Sequence, residues 1–219
     1  MHPLLAKNRI EGTMTEQFTR ATPRLNRAAR RAQLLSAAKS AFVSQGYHCA
    51  AMDDIADRAG VSKPVLYQHF PSKLELYLAL LSETADELVA ALRAAINETD
   101  DNDVRVHRAV EAIFRYVGGD SQGHRLVFES DLAGQPEVDR IVDHMTEACV
   151  GAITETITND TGVDTAHGRL LAAGLVGLSQ VSARYWLAQS GEVPQEEAVE
   201  MVYTLAWRGI SRFPRQIKD

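Results

Sequence analysis

Residues 59–73 read Ala59-Gly60-Val61-Ser62-Lys63-Pro64-Val65-Leu66-Tyr67-Gln68-His69-Phe70-Pro71-Ser72-Lys73, and this order decides the fold. Gly60 gives a backbone position free of the Cβ clash where one helix must end and another start at a steep angle. Ser62 is a good N-cap, and Pro64 falls in the first turn, where its missing N–H costs nothing. Leu66 and Phe70, four apart, make a narrow buried stripe; Lys63, Pro64, Tyr67 and Gln68 fall on the other side. Upstream, Met52, Ile55, Ala56 and Ala59 recur at helical spacing and predict a two-turn amphipathic helix. Before it, Leu34, Ala38, Ala41, Phe42 and Gln45 mark the inner face of a longer helix, about Arg24 to Gln45. Three helices with a glycine turn between the second and third form a helix-turn-helix. A short helix with a polar and aromatic outer face is of a size that the DNA major groove admits.

From about Leu34 to Leu81 the chain resembles the tetracycline-repressor (TetR) family of bacterial transcriptional regulators. The resemblance is carried by Ala38-x-x-x-Phe42 before Gln45-Gly46-Tyr47, by Asp54-Ile55-Ala56, by Ala59-Gly60-Val61-Ser62, and by Leu66-Tyr67-x-His69-Phe70-x-x-Lys73. It implies that the third helix lies in the major groove. On that basis the positions of Lys63, Pro64 and Val65 meet bases or neighbouring phosphates, and those of Tyr67, His69 and Lys73 bind phosphate. Ser62 and Gln68 complete the expected DNA-binding set. The residue chemistry agrees: lysine is a flexible point charge for guanine edges or phosphate, Tyr67 carries a donor on a rigid arm, and Pro64 and Val65 offer only apolar contacts. Gln68 suits adenine or solvent equally.

Two positions depart from the pattern. Ala51 stands where relatives place Thr or Ser, so the second helix lacks a side-chain cap, at a cost of roughly 1 kcal/mol. Asp53 stands where some relatives have a base-reading Arg. A carboxylate there avoids phosphates or accepts from a cytosine amino group.

The chain of 219 residues has a formal charge of −6, unevenly divided. Residues 1–73 hold 11 Lys and Arg against 5 Asp and Glu; the remainder holds 12 against 24. Arg20, Arg24, Arg27, Arg30 and Arg31 cluster where they oppose the first helix's dipole, which phosphate neutralisation would explain better than solvation.

All seven prolines fall at helix starts or outside apolar periods, and no stretch alternates with β-branched enrichment, so the fold class is all-α with about nine helices. Beyond the reader, helices are expected over about Lys73–Asn97, Val104–Val117, His124–Leu132, Glu137–Thr158, Thr165–Ser190 and Gln195–Arg212. The domain reading is a flexible arm over 1–22, a helix-turn-helix domain over 23–72 and a helical regulatory and dimerisation domain over 73–219. The eighth helix is apolar nearly all round and the ninth shows Met201, Val202, Leu205 and Ile210. Residues 165–212 are therefore expected to pair with a second copy, which would place two reading helices on a palindromic operator.

In the family a small molecule enters the helical domain. Candidate lining residues are Phe114, Phe128, Met145, Gln180, Arg184, Tyr185 and Trp186, each of which ordinary core packing also explains. No cofactor or metal is expected: His107, His124 and His144 have no zinc spacing. Cys49 and Cys149 form no disulfide framework. No apolar segment reads as a signal peptide or membrane span, and a cytoplasmic protein is expected. Phosphate-binding loops, nucleophile elbows and metalloprotease motifs are absent, so an enzyme is not expected. The sequence thus predicts a homodimeric repressor released by a small effector, with a ligand-independent or architectural DNA binder, or a helical enzyme, as rivals.

Overall fold

Asn26 starts the first helix by accepting the Ala29 N–H on its Oδ1 at 2.8 Å. The computed structural model describes residues 26–119, 123–128, 132–189 and 192–210. The arm 1–22, Arg20, Arg24 and the side chains of His124 and Phe128 lie outside the described residues. Among those described there are nine helices and no strand: α1 Arg27–Cys49, α2 Met52–Arg58, α3 Lys63–His69, α4 Lys73–Asn97, α5 Asn102–Gly118, α6 Gly123–Phe128, α7 Pro136–Thr161, α8 Thr165–Ala188 and α9 Gln195–Ile210.

Gly46, at φ 77° and ψ 165°, breaks α1 where Gln45 was expected to end it. The α2–α3 turn is a Schellman motif. Gly60 takes φ 62°, its N–H bonds Asp57 O at 3.0 Å, and Val61 N–H bonds Ala56 O at 3.0 Å. Ala51 provides no side-chain cap to α2, and Ser62 occupies the N-cap of α3 without a side-chain hydrogen bond. Ser72 Oγ does cap α4, accepting from Glu75 N–H at 3.1 Å.

Two helix ends differ from the sequence expectation. The α7 helix runs to Thr161, where Gly162 ends it at φ 68° with its N–H on Thr158 O at 3.0 Å. Leu132 belongs to the turn before α7, not to α6.

The α4 helix is the spine. Leu76, Tyr77, Leu80, Leu81, Leu88 and Leu92 on it are buried, while Leu74 and Leu78 are half-buried. Its first turns pack on α1, where Tyr77 meets the rings of Phe42 and Tyr47 at 5.3 and 5.2 Å. Its later turns pack on α5 and α7, with α8 against α7 and α9 against α5. One hydrophobic cluster runs through all of this from Leu34 to Val199.

Two polar ties fix the ends of the spine. At its far end Arg105 bonds Ile96 O, Thr99 O, Asn102 Oδ1, Asp100 Oδ1 and Asp160 Oδ2, joining α4, α5 and α7. At the near end Arg125 of α6 donates to Val43 O of α1 at 2.9 Å, and Tyr77 Oη donates to Leu126 O at 3.2 Å.

Candidate nucleic-acid interface

Burial of Leu66 at 0% and Phe70 at 2% exposure fixes the rotation of α3 about its axis. The opposite face is consequently open. Ser62, Lys63, Pro64, Tyr67 and Gln68 are exposed, and Val65 and His69 are half-buried. Tyr67 stands 45% exposed. In this way five of the eight expected contact residues are exposed on α3 or at its N-cap, and two more are half-buried.

Lys73 departs from that set. Its Nζ donates to the carbonyls of Tyr47 at 2.8 Å, Ala50 at 3.0 Å and His48 at 3.3 Å, and it lies 4.6 Å from the Tyr47 ring centroid. Three donors meet three acceptors at the C-terminal end of α1, where carbonyls have no helical partners. In this structure the ammonium caps the end of α1. Sequence spacing could not show this, because Lys73 and Tyr47 are 26 residues apart.

The surroundings of α3 hold further connections that the sequence did not reveal. Lys63 Nζ lies 2.5 Å from Asp53 Oδ2 of α2. Arg30 Nη1 donates to Gln33 Oε1, and Gln33 Nε2 donates to Ala59 O at 2.8 Å, tying α1 to the turn. Arg31 lies 4.6 Å from the Phe70 ring centroid. The described part of the reader, 26–73, carries seven Lys and Arg against three Asp and Glu. A reader with a net positive charge and an exposed third helix is able to neutralise phosphates and present donors to base edges.

The ligand candidates fare differently. Phe114 and Met145 are fully buried, and Trp186 packs on Phe114 and donates its indole N–H to Val193 O. Arg184 and Tyr185 are exposed, which corrects the expectation that they line an interior pocket. The α8 helix turns these two outward because Ala183 and Val176 occupy its packed side. Gln180 is 8% exposed, and its Nε2 has no hydrogen-bond partner among the described residues. A pocket of about 100 Å³ does open between α5, α7, α8 and α9, and none of the six candidates whose side chains are described lines it. Its wall is Ile96, Val110, Ile113, Ile153, Ile157 and Leu175, and its polar end is Asn102, Arg105, Asp160 and Thr161.

Large apolar side chains are exposed along α8 and α9: Leu170 at 74%, Val181 at 57%, Tyr185 at 68%, Met201 at 62% and Leu205 at 63%. Beside them Gly174 and Gly177 face open space. Among the described residues no group of His, Cys, Asp and Glu is arranged to hold a metal, and no helix is long and apolar enough to cross a membrane.

The family described as bacterial regulatory proteins, tetR family, matches residues 34–80. The HTH-type transcriptional activator FasR of Mycolicibacterium smegmatis is 51% identical over 191 residues, covering 87% of this chain and 87% of that one. A solved TetR-like transcriptional regulator from Rhodococcus sp. RHA1 superposes with a TM-score of 0.66 at 28% identity, covering 86% of this chain and all of that one. The transcriptional regulator FadR from Bacillus subtilis, solved in complex with stearoyl-CoA, shares the fold with a TM-score of 0.65 at 21% identity over 82% of this chain and 98% of that one.

Proposed function

The chain belongs to the TetR family of bacterial regulatory proteins and is a DNA-binding transcriptional regulator; we propose that it acts as a homodimer whose two α3 helices read a palindromic operator. The observation that carries this reading is the division of α3 into a buried side at Leu66 and an accessible side at Lys63, Pro64, Tyr67 and Gln68. Lys63, Pro64, Val65 and Gln68 are assigned to base edges, and Ser62, Tyr67 and His69 to the phosphate backbone. Lys73 is assigned to holding the reader together. Residues 23–72 form the reading unit and 73–219 the regulatory and dimerisation unit, working in the cytoplasm.

The exposed strip from Leu170 to Leu205 supports the dimer, since full burial of an exposed Leu, Val or Met side chain is worth up to about 1.5–3 kcal/mol and these side chains are more than half exposed. A twofold axis through α8 and α9 presents the reading helices as a pair, and one turn of DNA, about 34–36 Å, sets their required spacing.

The apolar lining of the pocket supports a largely hydrocarbon effector, and FadR of the same fold holds stearoyl-CoA. Repression was the expectation from the sequence. The half-identical FasR is named an activator, and we assign activation as the sign of regulation.

Genome-wide footprinting with purified full-length protein, joined to a promoter reporter, tests this. The expected result is a few discrete palindromes and reporter output that rises with the protein. Diffuse coverage would identify an architectural binder, and falling output would restore repression. A long-chain acyl-CoA should raise the melting temperature, whereas coenzyme A alone should not.

A further inference from the structure

Asp53 and Lys63 lie on the first turns of α2 and α3 with side chains 55% and 56% exposed, and their charged atoms are 2.5 Å apart. An exposed ion pair of this kind contributes little stability, so folding gives it no evident purpose. Its effect on DNA is more specific. A free Lys63 would be a phosphate-binding charge, indifferent to sequence; paired with Asp53 it contributes almost no net charge. What remains is a directional arrangement. Lys63 keeps two N–H donors, and the Asp53 carboxylate keeps a free acceptor oxygen.

In the major groove a G·C pair presents two acceptors, guanine N7 and O6, beside one donor, the cytosine amino group. An A·T pair presents acceptor, donor and acceptor, followed by a methyl group. Two donors beside an acceptor complement the first pattern and clash with the second, which would set an amino group against the ammonium.

On the basis that α3 reads DNA as proposed above, we infer that the Asp53–Lys63 pair is a specificity element selecting one G·C pair in each half-site. Lys63 donates to guanine and Asp53 accepts from the cytosine of the same pair. Asp53 also holds the lysine off the phosphates.

The test is selection from a randomised duplex library with full-length wild-type, Asp53→Ala and Lys63→Met proteins, followed by titration of the recovered duplex and its single-pair variants. The wild type should recover a fixed G·C pair in each half-site. Changing that pair to A·T should weaken the wild type about tenfold to a hundredfold and either variant by under about threefold, the contrast that a bidentate contact confers. Melting curves of both variants should match the wild type, since both side chains are exposed. The exchanged variant Asp53→Lys/Lys63→Asp should lose or invert the preference. Loss of affinity spread evenly over all positions, or recovery of the original preference in the exchanged variant, would mark a merely structural bridge and overturn the inference. A wild type that recovers no sequence at all would instead remove the DNA-reading role of α3 itself.

Discussion

The Lys73 ammonium donates to the Tyr47 carbonyl at 2.8 Å and lies 4.6 Å from the ring centroid of the same residue. This clamp joins the start of α4 to the broken end of α1, across the base of the reading unit. Lys73→Ala should therefore cost about 1.5–3 kcal/mol of stability, the range for hydrogen bonds from a charged donor. Thermal unfolding measures the loss. The slope of log affinity against log salt should stay unchanged in the folded variant. A fall of about one unit per subunit would move Lys73 to the phosphate backbone.

Leu66 and Tyr67 are adjacent but face opposite ways. Leu66→Ala empties a fully buried site and should destabilise by about 2–5 kcal/mol while abolishing DNA binding. Tyr67→Phe should leave the melting temperature alone and weaken binding a few-fold, equally on all sequences. A selective change in base preference would contradict its assignment to phosphate.

Met201→Glu with Leu205→Glu places two carboxylates in the exposed apolar strip, where Met201 is 62% and Leu205 63% exposed. The helices should fold as before, and light scattering should report single copies. Affinity for a full palindrome should fall by at least about a hundredfold as the linkage between half-sites is lost. A dimer that survived the double substitution would place the contact elsewhere.

Burial raises the Cys149 thiol from its ordinary 9.0 to about 11, an effect that the Arg93 guanidinium only partly offsets. The folded thiol thus keeps its proton while the unfolded one ionises. Stability is unaffected below pH 9.0, and the contribution is lost as pH rises from 9.0 towards 11. At pH 8 an alkylating reagent should label exposed Cys49 and spare buried Cys149 until the protein unfolds. Mass spectrometry of the labelled peptides reads the result.

The helix-turn-helix was legible because its instructions are local. Gly60, Pro64 and Ser72 act on backbone within a few residues, and the spacing of Leu66 and Phe70 sets a face. The contacts that refine the site were not legible. The Lys73 clamp, the Asp53–Lys63 pair and the Gln33–Ala59 tie link residues on different helices, and periodicity gives faces without naming the neighbour. The pocket candidates show the same gap. Arg184 and Tyr185 are exposed on α8, and an apolar circumference does not say which side of a helix faces the bundle. The cavity was missed because its wall of isoleucines and valines resembles any core until α5, α7, α8 and α9 are assembled.

The uneven charge has a consequence for how the protein meets its target. The surplus of Lys and Arg sits in residues 1–73 and the surplus of Asp and Glu in the residues beyond them. A duplex repels the acidic end and draws in the other, so the molecule is turned before it touches. Encounters by diffusion begin with the reading face already forward, and that advantage should fade as added salt shortens the reach of the field.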